Sequence, residues 1–111
     1  MYTYNAELIR VIDGDTIEAM IDLGFYTWHK VTVRLYGINA PESRTKDLQE
    51  KERGLAAKKR LTELLKDRKF MLESQGIGKY GRCLGIIYVE DFEVNLNKML
   101  VQEGHAEIYN D

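Results

Sequence analysis

Strand-like and helix-like segments follow one another in this chain in an order that leaves few possible folds. Five stretches rich in β-branched and aromatic residues are predicted to be strands, three before a long helical pattern and two after it. The strands cover residues 5–12, 16–24, 29–38, 68–74 and 83–90, and the helix covers 47–67. Strands and helices do not alternate one by one, so a parallel βαβ sheet is not expected. The order predicts a mainly β fold with helices, built on a small five-stranded barrel.

Local signals mark where these elements turn, begin and end. Asp13 and Gly14 stand between the first two strands, and an Asp-Gly pair at such a place predicts a tight hairpin. Asp47 is predicted to cap the long helix, since Glu50 follows it at the spacing of a capping box. A second, shorter helix near the end of the chain is expected to stop at Gly104.

The third predicted strand carries an arginine among its polar residues. Val31, Val33 and Leu35 alternate with polar residues in "HKVTVRLYGI", so these three share the face that is predicted to be buried. Arg34 lies on the opposite face, near the end of the strand. A functional arginine on the wall of a barrel would occupy such a position.

Composition limits the classes of protein that the chain can belong to. With 111 residues, 44% hydrophobic and 31% charged, it is expected to form one globular domain over residues 1–111. No run is long and apolar enough to predict a membrane span, and no secretory leader is recognised, so a cytoplasmic protein is expected. The single cysteine, Cys83, excludes an internal disulfide. The net charge of −2 means that a nucleic-acid partner would have to be attracted by a local positive pocket.

Oxygen-bearing side chains occur at two predicted turns. Asp13 and Asp15 flank a glycine, and Asn39 and Glu42 flank the Ala40–Pro41 corner. If the second and third strands are neighbours, these groups converge, and such oxygen ligands suit a hard cation such as Ca²⁺. The alternative is that Asp13 is only a turn residue and Glu42 a solvated loop charge.

Two arginines and a glycine-rich segment allow more than one interpretation. Arg34 and Arg82 could clamp the oxygens of a phosphodiester, or each could form an ordinary surface ion pair. The segment "GIGKYG" satisfies the G-x-G-x-x-G pattern of dinucleotide-binding folds. A strand rather than a helix is predicted to follow it, which favours a hairpin loop.

Four motifs together resemble the staphylococcal nuclease (thermonuclease) family. They are "VIDGDTIEAMIDLG", "VRLYGINAPE", "KYGR" and "LVQEGHA". Their order and the intervals between them also resemble the family, and the similarity covers residues 6–108. The resemblance implies an OB-fold barrel with helices. It also implies a Ca²⁺-dependent phosphodiesterase that acts on DNA and RNA. We expect such an enzyme to have little sequence preference and to cut flexible single strands best, since the phosphate must reach into a pocket.

The resemblance also implies roles for individual residues of a metal site. Asp15 and Asn39 fall on Ca²⁺-ligand positions, and Ala40 falls on the position that supplies a backbone carbonyl. The family usually has aspartate where this chain has Asn39 and often threonine where it has Ala40. Ca²⁺ affinity follows the charge of the ligands, so weaker binding is expected than at a site with two aspartates.

The remaining implied roles concern catalysis and substrate. Glu42 falls on the position of the general base, and Arg34 and Arg82 fall on the two arginines that stabilise the phosphate in the transition state. Lys79 and Tyr80 match positions close to the substrate phosphate.

The end of the chain and the Asn39 substitution leave alternatives open. The family's extra C-terminal helix has no counterpart here, which predicts a monomer or a weak dimer. Tyr109 is a further candidate for a substrate-side aromatic residue. Asn39 also allows a catalytically weak or inactive domain that binds nucleic acid or protein, since a fold alone does not fix a function.

Overall fold

The computed structural model describes residues 2–78, 81–90 and 93–109. In chain order the elements are β1 (Tyr2–Asp13), β2 (Thr16–Asp22), β3 (Trp28–Leu35), β4 (Ile38–Asn39), α1 (Leu48–Leu65), β5 (Lys69–Ile77), β6 (Cys83–Val89), β7 (Val94–Asn95), α2 (Leu96–Gln102) and β8 (Glu107–Ile108). Neither helix in these ranges has the length and apolar character needed to cross a membrane.

Five strands form a closed barrel. Antiparallel pairing follows the order β3-β2-β1-β5-β6, and a parallel pairing between β3 and β6 closes the sheet. At this seam Val33 lies opposite Cys83 and Leu35 lies opposite Gly85. A Cβ at Gly85 would collide with Leu72 Cδ1, so any larger residue at the seam would force the Leu72 side chain to move. The barrel predicted from the order of elements is confirmed.

The core fills the barrel and extends under the two helices. Val33 and Leu35 are fully buried, and Val31 packs against the same core, as the alternation in β3 predicts. Helix α1 contributes Ala57, Leu61 and Leu65, which lie one above another at helical spacing and are fully buried. Helix α2 adds Leu96 and Leu100.

The predicted helix ends are confirmed. The carboxylate of Asp47 accepts hydrogen bonds from the backbone N–H groups of Gln49 and Glu50, which have no partner within the helix. Asn95 caps α2 in the same way through the N–H of Lys98. Gly104 follows α2 with a φ of 80°, a left-handed conformation that glycine adopts without strain.

Small residues allow helix α1 to contact two turns of the barrel directly. A Cβ at Gly14, in the β1–β2 turn, would lie 2.5 Å from the Cβ of Ala57 and 3.1 Å from the Cβ of Ala40. A Cβ at Gly54 would lie 2.5 Å from the carbonyl carbon of Glu42. Both glycines therefore bring backbone into contact with backbone, and they place the β1–β2 turn and residues 40–43 beside the same face of α1.

Asn97 fixes the connection between β3 and β4 from within the protein. Its Nδ2 donates to the carbonyl oxygens of Tyr36 at 2.9 Å and Gly85 at 3.1 Å. Its Oδ1 accepts from the N–H of Ile87 at 3.1 Å. The side chain is 4% exposed and joins three chain segments that are distant in sequence.

Candidate functional site

Asp15 is the buried anchor of the candidate site. It is the last residue of the β1–β2 turn and is 7% exposed. Its Oδ1 accepts a hydrogen bond from Thr16 Oγ1 at 2.9 Å, and its Oδ2 accepts one from the N–H of Ala40 at 2.9 Å. Its backbone carbonyl also accepts from the N–H of Leu35 at 2.7 Å. Asp15 thus holds the end of β3 and the corner after β4 in one place.

Arg34 lies over Asp15. Nη1 is 3.6 Å from Asp15 Oδ2 and donates to the carbonyl of Leu35 at 2.9 Å, while Nη2 donates to Asn39 Oδ1 at 3.3 Å. The side chains of Arg34 and Asp15 are only 11% and 10% exposed, so water screens this ion pair weakly. The predicted orientation of Arg34, away from the apolar face of β3, is what places it over the site rather than in the core.

The residues assigned to a metal present oxygen atoms only. Asp15 offers a carboxylate, Asn39 an amide oxygen and Ala40 a backbone carbonyl, which is the donor chemistry that Ca²⁺ prefers. Asp15 is the one charged member, and its Oδ2 already lies near the Arg34 guanidinium. In the described part of the chain, no three His, Cys, Asp or Glu residues are grouped so that they could hold a metal ion. The set therefore fits a hard cation held by few charges, and it does not fit zinc.

Glu42 is exposed at the end of the same corner. Two contacts fix the backbone around it. Ser43 donates through its N–H, at 3.4 Å, and through its hydroxyl to Asp13 Oδ1, and the Glu42 carbonyl lies against Gly54 of α1. Asp13, which the sequence left as either a metal-side oxygen or a turn residue, ties the corner to the β1–β2 turn. Glu42 is therefore a solvent-facing carboxylate on a backbone that two elements restrain.

The residues of the β5–β6 loop are placed only in part. Arg82 is half-buried and directly precedes β6, where Cys83 pairs with Val33 of the strand that carries Arg34. Lys79 and Tyr80 lie outside the described residues. Gly76, at a register shift near the end of β5, and Gly81, in the loop, have φ values of 122° and 75°, and β5 and β6 pair antiparallel. This confirms the hairpin interpretation, since a dinucleotide site needs a parallel βαβ unit.

Strand β8 and the residue that follows its end bring two further side chains to the site. Glu107 pairs directly with Asn39, and the N–H of Tyr109 donates to the carbonyl of Gly37 at 2.8 Å. The Tyr109 ring centroid lies 6.0 Å from Arg34 Cζ, within the range of a cation–π contact. A strand of two residues leaves no periodic signal in the sequence, so pattern reasoning could not find Glu107.

A cavity of about 300 Å³ opens beside these residues. Its walls come from the corner after β4, the first turns of α1 and the segment between α2 and β8. The polar residues in these walls are Asn39, Glu50, Arg53, His105 and Glu107. Asn39 and Ala40 are the candidate-site residues in these walls, and they connect the cleft to Arg34 and Asp15 through the Arg34–Asn39 and Ala40–Asp15 hydrogen bonds.

Comparison with known proteins decides the family of this fold and site. Residues 32–111 match the family model described as staphylococcal nuclease homologue. The chain belongs to this family. The chain is 30% identical over 113 aligned positions to "Micrococcal nuclease" of Shigella flexneri, an alignment that covers 96% of this chain and 59% of the relative. It is 35% identical over 107 positions to "Endonuclease YncB" of Bacillus subtilis (strain 168), covering 94% of this chain and 47% of the relative.

A third relative carries a name that states no activity. It is "Protein ParB" of Escherichia coli, which is 32% identical over 111 positions that cover 93% of this chain and 56% of the relative. The chain spans about half the length of the curated relatives that it matches. The staphylococcal nuclease family implied by the four sequence motifs is therefore confirmed.

Proposed function

We propose that this domain hydrolyses phosphodiester bonds of DNA or RNA and requires Ca²⁺ for it. The observation that carries the proposal is the position of Arg34, which is held between Asp15 and Asn39, and Asn39 lines a polar cleft. Relatives named as a micrococcal nuclease and an endonuclease support the same reaction class. The enzyme cuts flexible single-stranded regions best, because the phosphate must approach a group that is largely buried.

Arg34 binds the scissile phosphate and opposes the negative charge that grows on its free oxygens. A guanidinium keeps its charge at any working pH and can donate two parallel hydrogen bonds to a phosphate. The hydrogen bonds from Arg34 to Asn39 and to the Leu35 carbonyl orient the donor before the substrate arrives. Arg82 is the second such donor in this proposal, and it directly precedes the strand that closes the barrel beside β3.

Asp15, Asn39 and the carbonyl of Ala40 would hold the Ca²⁺ ion. When bound, the ion supplies additional positive charge next to the reacting phosphate. Asp15 has a second role that needs no metal: its Oδ2 fixes the Ala40 N–H, and thereby the direction in which the corner leaves β4.

Glu42 is the general base. Its carboxylate accepts a proton from a water molecule as the water oxygen attacks phosphorus, and the opposite P–O ester bond breaks. The exposed position of Glu42 gives it access to water, and the Ser43–Asp13 contact limits how far its backbone can move. In the same proposal Lys79, Tyr80 and Tyr109 contact the substrate beside the cleaved bond, and the domain acts as a monomer or a weak dimer.

The test is cleavage of single-stranded DNA in added Ca²⁺ and in chelator, by the wild type and by Glu42→Gln. General-base removal is expected to lower the rate by about 10²- to 10⁴-fold. Glu52→Gln, on the exposed side of α1, is the matched control and should retain the wild-type rate. Circular dichroism checks that all three proteins fold.

Two results would contradict the proposal. Cleavage that persists in chelator would show that the reaction does not require Ca²⁺. Equal rates for Glu42→Gln and the wild type would show that Glu42 is not the general base. No cleavage by a folded wild type that still binds single-stranded DNA would instead support the alternative of a binding domain.

A further inference from the structure

The loop between β2 and β3 displays aromatic side chains that the fold does not use. Phe25 is 100% exposed and Tyr26 is 102% exposed, so both rings stand free of the rest of the domain. Leu23 and Trp28, on either side, are 48% and 41% exposed. Four neighbouring apolar residues in water on one loop are unusual for a small domain, and such groups mark interaction sites.

The backbone of this loop is well defined although its side chains are exposed. Gly24, Phe25 and Tyr26 have φ values of 84°, 53° and 60°. Bulky residues adopt this left-handed conformation only under strain. Hydrogen bonds of 2.9 Å from the Leu23 N–H to the Thr27 carbonyl and from the Thr27 N–H to the Gly24 carbonyl close the loop. Strain that persists in a closed turn, where Asn or Gly would relieve it, points to a role for the two rings.

The loop and the candidate active site are joined by one face of β3. Trp28 and Arg34 are separated by an even number of residues, and Lys30 lies between them at the same parity, so the three occupy the same face of the strand. Trp28 pairs with Asp22 at the loop end, and Arg34 pairs with Thr16 at the site end. Six residues at a strand rise of about 3.3 Å place the loop roughly 20 Å from the site.

Exposed cations lie on the face between them. Arg10 Nε is 2.6 Å and Lys30 Nζ is 3.7 Å from Glu18, the acidic residue at the centre of the face, and Asp22 is a second acidic residue of β2 on it. The side chains of both cations remain more than half exposed, at 57% and 62%, so a phosphate can reach them. A chain of phosphates that leaves Arg34 along β3 meets these cations before it reaches the loop.

We propose that Phe25, Tyr26 and Trp28 form a stacking surface for bases of a single-stranded nucleic acid whose phosphate occupies the Arg34 site. The inference rests on the proposed nuclease function and extends it to bases several nucleotides from the cleaved bond. Aromatic rings beside exposed cations suit single strands of any sequence, since every base presents a flat face and the cations can bind phosphates. A membrane surface fits less well, because residues 19–31 contain one lysine and no arginine to attract lipid headgroups.

The test measures binding in chelator, so that no cleavage occurs and Ca²⁺ is not needed. The variant is Phe25→Asn combined with Tyr26→Gly, since an Asn-Gly pair favours the left-handed turn and retains the loop shape. Titration with a single-stranded DNA of about ten nucleotides follows the fluorescence of Trp28, the single tryptophan of the chain. A dinucleotide and an abasic strand of the longer length are the comparison ligands, and Leu55→Ser, which removes an exposed apolar residue of α1, is the control protein.

The double variant is expected to bind the longer DNA about tenfold or more weakly, with unchanged binding of the dinucleotide and of the abasic strand. Its melting temperature is expected to rise, since the strain at the two positions is relieved. Leu55→Ser should bind like the wild type. Greater stability together with weaker binding distinguishes a functional loop from a structural one.

An equal loss of affinity for the abasic strand would overturn the proposal, because stacking requires bases. Unchanged affinity of the double variant for the longer DNA would also overturn it. So would a wild type that binds neutral vesicles, if the double variant loses vesicle binding but still binds DNA. Failure of the nuclease proposal would be seen separately, as wild-type protein that binds the longer DNA but does not cut it when Ca²⁺ is added.

Discussion

Gly54 lies where helix α1 meets the corner that carries Glu42, and Gly54→Ala would test whether this contact positions the catalytic carboxylate. The new Cβ would lie 2.5 Å from the Glu42 carbonyl carbon and 2.7 Å from the Ser43 nitrogen. Real Cβ atoms stay at least 3.0 Å from such atoms, so the corner must retreat from the helix by about 0.5 Å or more. The hydrogen bonds from Ser43 to Asp13 resist this movement.

Two terms of opposite sign set the stability of this variant. Overpacking is expected to cost about 1–3 kcal/mol, while alanine in place of a helical glycine contributes about 0.5–1 kcal/mol. The net loss in the free energy of unfolding is then roughly 0–2.5 kcal/mol, which leaves the domain folded. Activity is expected to fall much further, by about 10- to 100-fold, since misplacement of a catalytic group by about 1 Å can cost two orders of magnitude.

The measurement is kcat on single-stranded DNA in saturating Ca²⁺, together with a thermal melt followed by circular dichroism. Ala56→Gly, on the exposed side of α1, is the matched control, because it changes helix propensity without touching the corner. It should lower stability slightly and leave kcat unchanged. A Gly54→Ala protein with full kcat and a raised melting temperature would refute the idea that the α1 contact positions Glu42.

Three further predictions concern a charge, a buried amide and an ion pair. Asn39→Asp restores a second carboxylate and should tighten Ca²⁺ binding about tenfold or more, and an unchanged dissociation constant by calorimetry would contradict this. Asn97→Ala removes the partner of the Ile87 N–H and of two carbonyls, so urea unfolding should show a loss of about 2–4 kcal/mol; a loss below about 1 kcal/mol would mean that water replaces the amide. The hydrogen bonds from Arg60 at 2.7 and 2.9 Å lower the pKa of Glu103 below its ordinary value of 4.5. The resulting stability is present above that value and is lost as pH falls through the lowered pKa, so melts of the wild type and Glu103→Gln should differ at neutral pH and converge in strong acid.

Several features of the fold could be predicted from neighbouring residues alone. The Asp-Gly pair predicts the β1–β2 hairpin, the alternation around Val33 predicts the buried face of β3, and Asp47 caps α1 as its spacing to Glu50 indicates. The short strand β4 and its partner β8 were not predicted. Each has two residues, and their pairing joins Asn39 to Glu107 across more than half of the chain.

The candidate site could likewise be predicted only in part from the sequence. Its residue types, and the face of β3 that carries Arg34, followed from periodicity and from four motifs that resemble the staphylococcal nuclease family. Asp13 shows the limit of that reasoning, because the sequence left it as either a metal-side oxygen or a turn residue and did not indicate that it binds Ser43. The residues around Asp13 do not indicate that it accepts a hydrogen bond from the N–H of Ser43, which lies 30 positions away in the sequence.

The sequence by itself determined the order of strands and helices, the helix ends, the buried faces and the chemical groups available for a reaction. These properties depend on residues within a turn or two of each other, where steric preference and hydrophobic period act directly. Only the tertiary structure decided that Asp15 binds the N–H of Ala40, that Tyr109 lies beside Arg34, and that the Gly54 contact fixes the corner. Those contacts arise when the barrel closes and helix α1 packs on it, and close packing between distant segments has no local period in the sequence.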